Sequence, residues 1–349
     1  MQAVRLSKPE KLDVAEVGEP RPSAGEIIVR VGAAFVCGTD LRMYRNGNPH
    51  VAEGGSVTLG HEIAGYISEV GSTVTAYEPG MRVTVDPNMG CGVCDYCVSG
   101  NTQLCPQLRA IGIHLDGGFA EYVRIPAAAV QQGNVVRLPE HVTLDEAALV
   151  EPLSCVYNAA ERCRTIPGDT VLVIGAGPIG LMHAKMHRML GAGRIIVHDI
   201  KEERLALCRR LQPDLTTVGR EAPEDRIQQE SGGRGADVTI VAAPSPEAQQ
   251  LALRVTRING RVVFFGGLPK SKEEVTLNSN LIHYRQLWVT GTTRQNLRHY
   301  RTTLNLIAAG QLTVRDLISS RFRLEDAQQA FEAAGSGQTL KIGFAIGGE

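Results

Sequence analysis

Along the first hundred residues, apolar positions come in short runs broken by glycine, proline and polar clusters. Glu26-Ile27-Ile28-Val29-Arg30-Val31, residues 63–70 and Arg82-Val83-Thr84-Val85 read as strands, with Glu78-Pro79-Gly80 among the turns between them. Residues 107–150 keep this character, with Gly117-Gly118 turning into Phe119-Ala120-Glu121-Tyr122-Val123. Residues 145–151 favour helix and are expected to stop at Pro152. At Asp169 the pattern changes. Thr170-Val171-Leu172-Val173-Ile174 is a continuous apolar run, suited to a strand buried on both faces of a parallel sheet. Ile179, Met182, Met186 and Met189 then recur at helical spacing, and residues 194–199 form a second strand. Residues 237–243, a helix over about 246–256, residues 260–266 and residues 287–290 continue the alternation. The order predicts an α/β protein in which an irregular β domain accompanies a Rossmann-type, doubly wound parallel sheet.

The turn between the first parallel strand and its helix carries chemistry. Gly175-Ala176-Gly177-Pro178-Ile179-Gly180 is a GxGxxG, and Asp199 closes the second strand nineteen residues after Gly180. A lone GxGxxG is a weak signal; between strand and helix, with that acid, it is strong. Gly175 permits the tight turn, Gly177 admits a pyrophosphate, and Gly180 allows close packing of helix on strand. The helix N-terminus, beginning Pro178-Ile179, offers free N–H groups to an anion. Asp199 accepts hydrogen bonds from ribose hydroxyls and repels a 2′-phosphate, which favours NAD over NADP; Lys201 and Arg204 are cations close enough to soften that preference. Ala242 and Gly266, near the ends of later strands, are further candidates for the cofactor site. His183 and His187 lie four apart on the same helix and read as surface or packing residues, and the three methionines there as core.

Four of the eight cysteines, Cys91, Cys94, Cys97 and Cys105, follow a C-x2-C-x2-C-x7-C spacing. Two-residue gaps let thiolates curl onto one ion, and four of them close a tetrahedral zinc site with no open position. Disulfides are the alternative pairing, and an iron–sulfur cluster has the same ligand type. Gly92 and Gly100 supply turns in the loop. Cys37, in Cys37-Gly38-Thr39-Asp40, and His61-Glu62 are further zinc-compatible ligand types, although residues so far apart are not assigned to one site by spacing. Glu151 stands in an apolar setting, so it is expected to be buried and to need a partner. Cys155, Cys163 and Cys208 read as small core residues.

With 349 residues there is room for two cores, and no apolar run reaches the length of a membrane span. The opening residues lack the features of a signal peptide, and a net charge of −1 with interspersed signs removes an electrostatic case for nucleic acid. The expectation is a cytoplasmic protein with neither a membrane nor a nucleic-acid partner.

Together these residues resemble the zinc-dependent medium-chain alcohol dehydrogenases, most closely the sorbitol and polyol dehydrogenase branch. The resemblance rests on Cys37-Gly38-Thr39-Asp40, Gly60-His61-Glu62, the four-cysteine loop, Glu151-Pro152, the GxGxxG with Asp199, and Leu340-Lys341-Ile342, and it spans essentially the whole chain. It implies a GroES-like catalytic domain over 1–152 and 290–349, an NAD-binding domain over 153–289, and two zinc ions per chain. Cys37 and His61 match ligands of the catalytic zinc. Glu62 and Glu151 match two acids of which one completes its sphere, and the sequence does not choose between them. Thr39 matches the hydroxyl that takes the proton of a small-molecule alcohol, and Arg294 a substrate-pocket arginine; Tyr44 and His114 are further pocket candidates. Relatives are usually dimers or tetramers, which implies a homo-oligomer. The chain departs from the branch at Arg42, where a relay histidine is common, at Gln295, where an aromatic is expected, and at Met43, beside Tyr44. These differences point away from sorbitol itself, and Arg42 suits a carboxylate or phosphate on the substrate. The alternatives are an L-threonine 3-dehydrogenase-like enzyme and a catalytically silent NAD-binding sensor of the same fold.

Overall fold

The computed structural model describes residues 1–52, 54–212 and 214–347. The chain divides into two compact units, Met1–Ser154 with Gln295–Glu349, and Cys155–Arg294.

The first unit is built on a seven-stranded sheet. Its centre is Ile27–Phe35, an apolar strand nearly all buried, flanked by Glu62–Val70 and by the C-terminal strand Lys341–Ala345, both antiparallel to it. Arg82–Val85 and Val135–Arg137 extend one side, Ile318–Phe322 the other, and Tyr122–Ile125 also pairs with the central strand. Because a strand from the last ten residues completes a sheet begun near residue 27, the unit is necessarily discontinuous in sequence. Val4, Ile63, Phe119, Phe331 and Phe344 belong to the core around the sheet.

Here the predicted strands are recovered within a few residues, but Pro152 behaves differently from expectation. Leu144–Ala148 is a short helix capped by Thr143 and Glu146, and a second helix, Val150–Cys163, begins two residues later. Pro152 is the third residue of that second helix. No intrahelical acceptor exists for the first N–H groups of a helix, so a proline there costs nothing.

The second unit is a six-stranded, all-parallel sheet in the order Thr216–Val218, Arg194–His198, Thr170–Ile174, Ala236–Val241, Thr256–Phe264, Trp288–Gly291. Numbered by sequence this is 3-2-1-4-5-6, the doubly wound order, with its switch point between Thr170–Ile174 and Ala236–Val241. The helix Pro178–Met189 starts at Gly177 and packs against the first two strands. Gly180 is obligatory: a Cβ there would lie 1.7 Å from the carbonyl oxygen of Gly175. Gly175 itself has φ 115°, which disfavours any L side chain.

His183 and His187 are packing residues, both fully buried, with rings stacked 5.8 Å apart and His183 edge-on to Phe265. His187 Nδ1 lies 2.7 Å from Thr165 Oγ1, while neither nitrogen of His183 has a hydrogen-bond partner among the described residues. Burial, with the Arg261 charge nearby, lowers the pKa of His187 to about 3; burial and then His187 hold His183 well below the usual range. Among the described residues no helix is long and apolar enough to cross a membrane.

Folding therefore buries two bases in their neutral form. Below about pH 6.5 the unfolded chain binds protons that the folded chain refuses, so stability falls as pH drops from 6.5 towards 3, by about 1.4 kcal/mol per pH unit and per histidine. Urea unfolding at pH 7.5, 6.0 and 5.0 should show that loss, and replacing His183 by Met and His187 by Gln should remove part of it. Equal pH slopes in parent and variant would contradict this assignment.

Candidate active site

The strand pairing that builds the first unit also assembles a cluster of ligating side chains. Cys37 caps the helix Gly38–Asn46, two residues beyond the central strand, and Glu62 opens the next strand opposite Phe35. Ligand atoms of Cys37, His61 and Glu62 lie within 4.8 Å of one another. His61 is 5% and Glu62 0% exposed, so these are groups withdrawn from water and not a solvated surface triad.

Asp40 organises two of the three. Its Oδ2 accepts the Cys37 N–H at 2.8 Å, and its Oδ1 stands 3.5 Å from His61 Nδ1. Neither Oδ1 nor Nδ1 is hydrogen-bonded among the described residues, but a carboxylate beside Nδ1 favours Nε2 as the ligating nitrogen, the arrangement usual behind a metal-bound imidazole. Burial opposes charge on His61, but the Asp40 carboxylate and the Cys37 sulfur outweigh it and raise its pKa. Glu62 is held from behind: Lys341 Nζ, itself 3% exposed, lies 2.6 Å from the carboxylate and also donates to Val36 O at 2.8 Å. Burial nevertheless lifts Glu62 to about 7, with Lys341 opposing the shift and Glu151 adding to it. Both Glu62 oxygens lie 2.6 Å from that ammonium group, Oε1 as its hydrogen-bond acceptor and Oε2 in the ion pair. A sulfur, an imidazole and a carboxylate with ligand atoms gathered within 4.8 Å fit a zinc ion that keeps an open position.

Glu151, in the first turn of Val150–Cys163, is 6% exposed and outside this ligand group. Its Oε1 accepts from Gln295 Nε2 at 3.1 Å, and burial raises its pKa. Of the two candidate acids, the geometry brings Glu62 to the Cys37–His61 pair and holds Glu151 behind it.

The four-cysteine loop is a second cluster, set between the short paired strands Asn88–Met89 and Arg109–Ala110. All four sulfurs lie within 4.8 Å of one another, every cysteine is free, and Cys94 Sγ is 3.8 Å from Cys105 Sγ. A tetrahedron with arms of about 2.3 Å has edges of about 3.8 Å, so the spacing is that of thiolates around zinc and not of a disulfide. Backbone N–H groups of Val93 and Cys94 point at Cys91 and lower its thiol to about 6. Gly92 and Gly100 make the turns with φ near +80° (81° and 80°).

In the second unit the fingerprint residues share the carboxyl end of the sheet. Asp199 Oδ2 accepts the Ala176 N–H at 2.8 Å and Oδ1 the Lys201 N–H at 2.9 Å, tying the acid to the glycine turn. Arg204 stands 3.6 Å from Asp199. Ala242 donates to Ile174 O at 2.9 Å, and a Cβ on Gly266 would lie 2.9 Å from Ala242 O, so both candidates line the strand ends beside Gly175.

The substrate candidates are less tightly gathered. Thr39 and Arg42 are one turn apart on Gly38–Asn46, Thr39 half-buried and Arg42 exposed. Tyr44 turns to the helix Ala327–Ser336, where its ring meets Phe331 at 5.4 Å and its hydroxyl accepts from Gln328 at 2.9 Å. His114 meets the His50 ring at 4.1 Å in a tilted contact and accepts the Ala110 N–H; both histidines line a cavity of about 800 Å³ that includes Arg5 and Arg109 but none of Cys37, His61 and Glu62. Arg294 is exposed, has φ 51°, and its carbonyl accepts from Asn158 at 2.8 Å. Asp40, Lys341, Asp86 and Gln295 are supporting residues that the sequence reading did not assign. Asp40 and Lys341 lay within quoted motifs, and a buried charge opposite Glu62 was the missing clue.

Comparison with known proteins agrees with this arrangement. Residues 23–140 match the alcohol dehydrogenase GroES-like domain and residues 178–309 the zinc-binding dehydrogenase domain. Sorbitol dehydrogenase of Bacillus subtilis is 32% identical over 96% of this chain and 93% of its own. Two solved structures superpose over nearly the full length. One is galactitol-1-phosphate dehydrogenase from Escherichia coli, with TM-score 0.88 and 27% identity over 99% of this chain and 100% of that one. The other, a Sinorhizobium meliloti chain bound to NADP, has TM-score 0.87 and 32% identity over 99% and 98%. The chain belongs to the zinc-binding, medium-chain alcohol dehydrogenase family, and it is an enzyme of that family.

The cysteine cluster makes a measurable demand. Cys94→Ser should lower bound zinc from two ions per chain to one by elemental analysis, and lower the unfolding midpoint by about 5 °C or more. Two retained zinc ions with an unchanged midpoint would refute a structural zinc at this loop.

Proposed function

We propose that the protein oxidises a secondary alcohol of a polyol, sugar alcohol or sugar derivative to the ketone, with NAD as hydride acceptor. The observation that carries this is the buried Cys37, His61 and Glu62 triad with Asp40 and Lys341 behind it. Four closed thiolates organise a loop; a three-ligand site with a free position serves chemistry. We assign unit Met1–Ser154 with Gln295–Glu349 to catalysis and unit Cys155–Arg294 to the cofactor, and place the enzyme in the cytoplasm as a homodimer or homotetramer.

The overall change is secondary alcohol plus NAD⁺ to ketone, NADH and one proton. A zinc ion held by Cys37, His61 and Glu62 would supply Lewis-acid polarisation of the substrate hydroxyl, and a nicotinamide bound in the second unit would supply the hydride acceptor. Cys37, His61 and Glu62 hold that site, and Asp40 keeps the imidazole turned towards it. Thr39, two residues after Cys37, accepts the hydroxyl proton and passes it outward. Arg42, one turn on, is a free exposed cation placed to meet an anionic group on the substrate. Gly175, Gly177 and the first turn of Pro178–Met189, with Pro178 and Ile179, receive the pyrophosphate, and Gly180 seats that helix. Asp199 favours ribose hydroxyls over a 2′-phosphate. A relative bound to NADP makes that preference worth testing directly.

Purified, zinc-replete protein offered NAD with polyols, polyol phosphates, sugar acids, cyclitols, threonine and simple secondary alcohols should reduce NAD with one class of polyol or sugar derivative. Cys37→Ser and His61→Ala should each abolish that turnover while NAD binding, read by calorimetry, persists. Retained turnover would defeat the triad assignment, and turnover of threonine alone would favour the threonine dehydrogenase reading. Asp199→Asn should raise the KM for NAD roughly tenfold, as expected for one lost charge-assisted hydrogen bond, and narrow the gap to NADP. An unchanged cofactor ratio would remove Asp199 from that role.

A further inference from the structure

Behind the triad, a single amide serves two buried carboxylates. Gln295 Nε2 donates to Glu151 Oε1 and to Asp86 Oδ1, both at 3.1 Å. Gln295 is 0%, Asp86 1% and Glu151 6% exposed. Asp86 is itself fixed. Its N–H donates to Asn134 O at 2.9 Å, its carbonyl accepts from Asn134 Nδ2 at 2.9 Å, and its Oδ1 also takes the Asn88 N–H at 3.1 Å. The other end of the bridge is fixed as well. Asn296, the next residue, caps the helix Leu297–Ala308 by accepting the His299 N–H, and its Nδ2 donates to Gly100 O of the cysteine loop at 2.9 Å. Gln295 therefore stands between two anchored groups, the carboxylate of Asp86 and the helix cap at Asn296.

Glu151 is electrostatically close to His61, Lys341 and Glu62 yet outside their ligand group. A carboxylate so near a dication is drawn to it unless something holds it back. We propose that Gln295 is a positioning residue, its amide tying Glu151 to Asp86 and so keeping Glu151 out of the metal's coordination sphere. Glu62 then remains the acid in that sphere, and the open position stays free for the alcohol. An aromatic side chain at residue 295 could not do this, having no pair of amide hydrogens to share. This inference rests on the catalytic zinc reading of Cys37, His61 and Glu62.

The test compares the intact protein with Gln295→Leu, Gln295→Asn and the double variant Glu151→Gln/Gln295→Leu, each loaded with Co²⁺ in place of Zn²⁺. Visible absorption reports the coordination of cobalt, and the four-cysteine contribution is common to all and cancels in difference spectra. Gln295→Leu should change the remaining bands, because the released Glu151 adds a ligand; Gln295→Asn, too short to reach both acids, should change them in the same direction. The double variant should regain the parental spectrum, since an amide at 151 competes poorly for the ion. With an alcohol substrate, kcat/KM of Gln295→Leu should fall about 10–100-fold, mainly through KM, and recover in part in the double variant. Parental spectra in both single variants would overturn the proposal. So would an altered spectrum that Glu151→Gln leaves unchanged. If the wild-type protein binds one cobalt instead of two, the zinc reading fails before Gln295 is at issue.

Discussion

A lysine and a glutamate, separated by 279 residues in sequence, are buried together beside the cluster of ligating side chains. Removing two charges from water costs several kcal/mol each, and that cost is offset only by close geometry and full hydrogen bonding. Lys341 offsets part of it through short contacts with Glu62 and the Val36 carbonyl. Phe35 brings them together, since it pairs with Glu62 on one side and with Gly343 on the other. The same register places Cys37 two residues beyond the strand end. A slip of one residue would turn Glu62 to the other face of the sheet. The ligand set is thus a consequence of how the last strand of the chain docks against an early one.

Around that pair the site concentrates acids. Glu62 and Glu151 both feel the one buried ammonium group of Lys341, and Asp86 shares the Gln295 amide with Glu151. Burial lifts Glu62 to about 7 and Asp86 to about 8, and Glu151 adds to both shifts by like-charge repulsion. Such crowding is relieved by protonation or by a cation, and a dication would reverse the sign of each of these interactions. Tyr300 fits the same picture: fully buried, with its hydroxyl 2.7 Å from Thr84 Oγ1, it is pushed well above its ordinary pKa by burial, with Asp86, Glu151 and Glu62 adding to the shift. It remains a neutral phenol at the back of the cluster.

What could be read from the sequence followed the range of the interactions. The strand Thr170–Ile174 and the start of its helix were legible because apolar runs and glycine turns are local signals. The four cysteines were legible because their spacing is local too. Pro152 misled because a proline inside a helical pattern and a proline in the first turn of a new helix look alike until the break at Leu149 is known. The choice between Glu62 and Glu151 was invisible, since it depends on Lys341 and Gln295, far away in sequence from both. Tyr44 was grouped with the pocket by its neighbours in sequence. On a helix, five positions from Thr39 is another face, and that face packs on Phe331.

The cysteine loop, chemically closed, still bears on the reactive cluster. Gly100 lies between its third and fourth cysteines and accepts the Asn296 side chain; Asn296 caps Leu297–Ala308 and fixes where Gln295 must lie. Tyr300, one turn into the same helix, binds Thr84 on the strand Arg82–Val85, just before Asp86. Loop, cap, amide and carboxylate therefore form one chain of short contacts. Through that chain the closed cysteine cluster is joined, by Gly100 and Asn296, to the backbone beside Gln295, whose amide meets Glu151. The loop's place in this fold is thus a matter of position as well as of stability.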